Sequence, residues 1–152
     1  MNIAEDLKLK ADGLVARAGQ RPVEKADQLF EEAGKTYLQA LAADPEYYPA
    51  LNAWAAALIS QAQMKCGDEA CECLDQAADK LHQVEVISPG SGSYNLACIA
   101  ALRGLRDECR KWLENGPRNG KIPRRAHIEN DPDLASVRSE NWFQGFLEKV
   151  DE

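Results

Sequence analysis

The chain has 152 residues, a length that favours one domain over 1–152 and a single core. Lys and Arg number 18 against 25 Asp and Glu, and the net charge of −7 argues against a nucleic-acid binder, whose domain would be basic. Hydrophobic residues at 45% exclude a disordered chain, and the longest apolar run, 53–59, falls far short of the ~20 residues of a membrane span. Apolar residues then recur at intervals of three and four almost throughout, which predicts helices and no strand. Asn2 followed three residues later by Glu5 is a capping-box pattern, and a first helix is expected over 3–18. A second is expected over 23–43. Pro49 stands at the tolerated first position of a third over 49–65. Asp68 is the expected cap of a fourth over 69–87. Shorter helices follow over 94–103 and 106–115. Beyond Gly116, Ile122-Pro123, Asp131-Pro132-Asp133 and Ser139 each read as a helix start. Ile128, Leu134, Val137, Trp142, Phe143, Phe146 and Leu147 supply apolar anchors there.

Self-comparison carries the most information. A shift of 44 residues lays Leu7 on Leu51, Ala11 on Ala55, Leu14 on Leu58 and Val15 on Ile59. The same shift lays Ala26 on Ala70, Phe30 on Leu74, Ala33 on Ala77, Tyr37 on Leu81, Ala40 on Val84 and Pro45 on Pro89. A shift of 42 carries Asn52 to Tyr94, Trp54 to Leu96 and Ala55 to Ala97. Small falls on small and large on large, so the chain holds two and a half to three copies of a helix-turn-helix unit.

The segments Ala33-x3-Tyr37-x2-Ala40-x4-Pro45 and Ala77-x3-Leu81-x2-Val84-x4-Pro89 resemble the second helix of a tetratricopeptide repeat. Leu51-x2-Trp54-Ala55-x2-Leu58 resembles the first helix, and Tyr94-Asn95-Leu96-Ala97 with Gly104, Cys109 and Leu113 resembles a third repeat. The resemblance covers roughly 3–116 and implies an all-α fold: a right-handed stack of three helical hairpins, a tetratricopeptide-like solenoid. The repeats are expected over about 3–45, 46–89 and 92–116, with C-terminal capping helices over 122–150 giving the open end a polar outer face. The family period is about 34 residues, so helices lengthened through 59–66 and 69–76 are expected here. Trp54, Leu58, Leu81 and Val84 are expected in the core.

Five cysteines form an odd set, and without an export signal at the N-terminus the expected state is reduced thiols in the cytoplasm. Cys73 falls in the slot of Leu29, and Cys109 in that of Ala33 and Ala77, so both read as small hydrophobes. His82 and His127 stand in no nucleophile motif, and no glycine loop for phosphate appears. No catalytic residue, metal ligand set or cofactor is therefore expected.

Residues 103–125 hold eight basic side chains against three acidic ones, and Arg103, Arg106, Arg110, Arg124 and Arg125 form a candidate basic patch for an acidic partner. The family resemblance implies a concave surface lined by the first helix of each hairpin. Carried over, its slots include Lys8, Asp12, Asn52, Ala56, Tyr94, Asn95 and Cys98. Family members that grip chaperone tails use basic and amide side chains, where this chain has Lys8, Asp12, Ala53, Ser91 and Asn95, and that set argues against such a clamp. The leading expectation is a non-enzymatic adaptor, scaffold or assembly factor that binds a peptide or protein in this groove. It would be a monomer or weak homo-oligomer with no nucleic-acid or membrane partner. The alternative is a small metal- or redox-responsive protein using Cys66, Cys71 and Cys73.

Overall fold

A computed structural model of the chain describes residues 2–116 and 122–150. Every regular element among them is helical: α1 (Ile3–Ala18), α2 (Val23–Ala43), α3 (Tyr48–Gln63), α4 (Gly67–Ile87), α5 (Ser93–Leu102), α6 (Arg106–Asn115), α7 (Arg125–Asn130), the 3-10 helix η1 (Pro132–Val137) and α8 (Asn141–Glu148). The fold class is all-α. None of these helices is long and apolar enough to cross a membrane. Where the sequence suggests one domain over 1–152, the chain divides into two compact units, Met1–Ile87 and Ser88–Glu152, with the boundary at the end of α4.

The first helix starts as its capping pattern requires, with Asn2 Oδ1 accepting the Glu5 amide at 3.1 Å. The second ends at Asp44, whose carboxylate accepts the amide of Glu46 at 3.1 Å and turns the chain toward α3. The junction of α3 and α4 differs from expectation. Residues 59–63 and 69–76 are helical, but 64–66 are not. The chain leaves α3 at Gln63 and re-enters a helix at Gly67, whose φ of +60° is a left-handed turn that glycine adopts without cost. Asp68 therefore lies inside the first turn of α4, where its negative charge favours the helix N-terminus, rather than at the cap.

In the first unit, α1 pairs with α2 and α3 with α4, and α3 also rests on both helices of the preceding pair. The contact surfaces are lined by alanine. Ala11, Ala18, Ala26, Ala33 and Ala40 are fully buried in one cluster with Phe30 and Tyr37, and Ala55 and Ala77 are equally inaccessible. Leu58, Leu81 and Val84 are buried as expected, whereas Trp54 is only half-buried. Leu51 is buried, and its repeat counterpart Leu7 is half-buried.

In the second unit α5 pairs with α6, η1 packs on α5, and α8 packs on α6 and α7. Cys109, Leu113, Ile128, Leu134, Val137 and Phe143 make its core. Polar bonds fasten the tail: Ser136 Oγ donates to the Ala101 carbonyl at 2.9 Å, and Arg125 Nε to the Leu147 carbonyl at 2.9 Å.

Leu81 has no exposed surface, whereas Val86 on the same helix is 84% exposed. Leu81→Ala is expected to cost about 2–5 kcal/mol in chemical denaturation. Val86→Ser should stay within about 0.5 kcal/mol of the parent.

Candidate functional site

Three helices of the first unit converge on a cleft of about 660 Å³. Its floor is Trp54, carried by α3. The indole lies against α2 at Gly34, where a Cβ would stand 3.3 Å from Trp54 Nε1. Only a residue without a side chain lets the ring settle there unhindered. Tyr37 stacks on the indole with centroids 6.2 Å apart and planes 20° apart. Lys80 from α4 holds its ammonium 4.0 Å from the ring centroid, a cation–π contact. Burial lowers the pKa of that ammonium, with neighbouring Asp79 working in the opposite direction. The indole N–H makes no hydrogen bond among the described residues.

Phe30 and Leu58 form buried walls, and Leu38 stands at the mouth with 58% of its surface exposed. Glu31, Lys35, Gln61, Lys65, Glu69, Glu72 and Gln76 make the rim, with Cys73 beneath. One corner of that rim is a clamp. Lys65 Nζ lies 2.6 Å from Asp27 Oδ2 and 3.3 Å from Glu69 Oε2, and Gln61 Nε2 donates to Asp27 Oδ1 at 3.1 Å. The Lys65 hydrogen bond holds the Asp27 carboxyl below its ordinary pKa, and Asp27 in turn raises that of Lys65. The clamp ties α2 to the connection between α3 and α4. The cleft as a whole offers an apolar, aromatic floor and a ring of charges.

A second cluster centres on Asp131 in the other unit. Tyr94 Oη donates to Asp131 Oδ2 at 2.6 Å, and the Asp133 amide donates to Oδ1 at 3.0 Å, which caps η1. His127 Nε2 lies 3.6 Å from Oδ2, and the Cys98 thiol faces the same oxygen at 3.9 Å. Cys98, Asp131 and Asp133 bring donor atoms within 4.8 Å of one another, the one such group among the described residues. Burial, then the facing carboxylates, push the Cys98 thiol well above its ordinary range, and burial does the same to the Tyr94 phenol. A thiol held protonated is a poor nucleophile and a poor metal ligand. Both Asp131 oxygens already accept hydrogen bonds, so the arrangement fastens η1 and α7 to α5.

The structure distributes the residues singled out by sequence rather than gathering them. Lys8 pairs with Asp12 at 2.7 Å, and Asp12 Oδ1 accepts the Tyr37 hydroxyl, so Asp12 joins α1 to α2. Asn52 is half-buried and Ala56 exposed on α3. Tyr94 and Cys98 are buried on α5, at 8% and 1% exposure. Asn95 is half-buried on α5. These last three belong to the second unit, and the first four to the other. Among the basic residues, Arg106 pairs with Glu140 at 3.3 Å, and Arg110 with Glu114 at 2.9 Å. Arg125 approaches Glu129 at 3.9 Å, while Arg103 and Arg124 are exposed. Much of that patch is met by local carboxylates, and Arg118 and Lys121 lie outside the described residues. Cys66 and Cys71 are exposed and Cys73 is buried, and the three are not brought to a common point.

Sequence reasoning passes over the Trp54 cleft because it assigns the tryptophan to the core. Two signals mark it. Gly34 sits inside a long helix, where glycine costs about 1 kcal/mol relative to alanine and a close approach is the usual reason. Leu38 lies one turn further on, outside the buried stripe. Comparison of the chain with family models, with curated proteins and with solved structures returns no match.

Two measurements check this geometry. Native alkylation followed by mass spectrometry should label Cys66 and Cys71 promptly. Cys73, Cys98 and Cys109, the last with its pKa pushed up to about 12 by burial, should react only after unfolding. The stability that Asp27 contributes is present above its ordinary pKa of 3.8 and is lost as pH falls through its lower native value. Asp27→Asn should therefore flatten the acid limb of stability against pH, as read by urea denaturation at a series of acid pH values.

Proposed function

We propose that this chain is a non-enzymatic protein-interaction module that seats a peptide or protein segment in the cleft over Trp54. The observation that carries the reading is a half-buried tryptophan at the floor of a cleft with an exposed leucine at its mouth. Tryptophan is among the residue types enriched at interface hot spots. Ordinary surface patches lack this concavity.

The proposed architecture is a right-handed, tetratricopeptide-like stack. The register of small residues at Ala11, Ala33, Ala55 and Ala77 supports it, as does the way α3 rests on both helices of the preceding pair. A non-enzymatic role is supported by the Asp131 cluster, whose polar atoms hold the tail in place and whose thiol is kept protonated. The proposed compartment is the cytoplasm, and five unpaired cysteines fit a reducing environment.

The test is a random peptide display library panned on the folded chain, with binding followed by the indole N–H resonances in NMR. Trp54 belongs to the first unit, and Trp112 and Trp142 to the second. Enriched peptides are expected to shift the Trp54 indole resonance and leave the other two in place. Leu38→Glu, a change at an exposed position, should weaken them by about tenfold or more with the circular dichroism spectrum intact. Peptides that leave the Trp54 resonance unmoved, or that bind Leu38→Glu equally well, would overturn the assignment of the cleft.

A further inference from the structure

The two units differ sharply in charge. Residues 1–87 hold 8 Lys and Arg against 15 Asp and Glu, which is the whole net charge of −7, while 88–152 is balanced at 10 of each. Within the acidic unit part of the excess runs along α4, one face of which borders the cleft. Along 68–80, α4 exposes Asp68, Glu69, Glu72, Asp75 and Asp79 against the one cation Lys80, which is turned onto the Trp54 ring. Glu69 and Glu72 form the cleft wall on this side, and Glu31 faces them from α2. Of the two rim lysines, Lys65 is already held between Asp27 and Glu69. An apolar floor thus lies under a rim with a negative balance.

The spacing matters as much as the sign. Residues 69, 72 and 76 share one face of α4 with a repeat of about one helical turn, and a second helix laid along the cleft repeats its own side chains at the same pitch. An extended peptide would not keep that register.

We propose that the segment that docks in this cleft is a basic amphipathic helix. One large apolar side chain enters beside Leu38 onto the edge of Trp54. Two Lys or Arg one turn apart on that helix meet Glu72 and the exposed side of Glu69, which Lys65 leaves 74% accessible. The proposal rests on the cleft reading above and adds the partner's chemistry to it. Burial of the apolar anchor supplies affinity, and the acidic wall supplies orientation and steers the encounter at low salt.

The experiment uses three synthetic helices of equal length. One carries a leucine stripe flanked by lysine, the second has each lysine replaced by glutamate, and the third has the central leucine replaced by serine. Binding to the full chain is measured by fluorescence anisotropy and by the Trp54 indole resonance. The lysine helix is expected to bind, to move that resonance and to weaken as salt rises. The glutamate and serine helices should bind at least about tenfold more weakly. Charge reversal at exposed positions, Glu69→Lys with Glu72→Lys, should invert the preference between the lysine and glutamate helices. Glu72→Gln alone should weaken the lysine helix partially, which keeps the test valid if the double variant is unstable.

Equal binding of the lysine and glutamate helices, or no binding of the lysine helix, overturns the proposal. If library peptides still move the Trp54 resonance in that case, the cleft remains a binding site and only its partner chemistry is wrong. A Trp54 resonance that shifts with protein concentration before any peptide is added would place a second copy of the chain in the cleft and would also overturn it.

Discussion

Two helices can approach only as closely as the side chains between them allow, and in this chain that spacer is alanine. Ala11, Ala18, Ala26, Ala33, Ala40, Ala55, Ala77 and Ala97 have no exposed surface at all. Interaxial distance depends on the residues at the contact, and a larger group forced into a filled interface typically costs about 1–3 kcal/mol. The alanines therefore set how tightly each pair closes, and the larger side chains take the space that remains. Gly34 extends the same logic by one methyl group. It stands next to Ala33, and the space left by its absent side chain receives the Trp54 indole. The cleft is thus a by-product of close packing: a tryptophan is drawn down between helices far enough to form a floor, but not far enough to disappear.

Most of the helical framework is readable from spacing because its determinants are local. The limits of α1, α2 and α6 coincide with the expected ones, since a cap, a proline or a glycine marks each end within a residue or two. The α3–α4 junction was less legible. Spacing through Ala62 predicts helix as far as residue 66, but α3 ends at Gln63, Gly67 adopts a left-handed φ, and Lys65 is drawn into a clamp with Asp27, 38 residues earlier in the chain. Periodicity reports which face is apolar. It does not report where a distant carboxylate holds the chain.

The candidate site was less legible still, for a related reason. Trp54 occupies a repeat slot that elsewhere holds Leu96, so pattern alone assigned it to the core. Its real exposure depends on Gly34, on Tyr37 stacked against it and on Lys80 arriving from another helix. Tyr94 shows the opposite case. A phenol on a repeat's first helix looked available to a partner, but Asp131, 37 residues later, takes its hydroxyl inward. In each case the deciding contact is tertiary, between residues that no short window contains.

Asp131 receives hydrogen on both oxygens of its carboxylate, from Tyr94 on one side and from the Asp133 amide on the other, while its main-chain carbonyl receives the Arg138 guanidinium at 2.6 Å. An isosteric exchange to asparagine keeps the shape but turns one of those acceptors into a donor, so that the Tyr94 hydroxyl changes from donor to acceptor and the charge-assisted bond is lost. With Oδ1 toward the Asp133 amide the turn keeps its cap, and the phenol proton must then turn away from residue 131. Glutamate keeps both acceptors but is one methylene too long to cap from that position. Substitutional freedom at this site is therefore narrower than its polar, partly accessible character suggests: asparagine keeps the cap at the cost of one reversed bond, and an apolar side chain loses both.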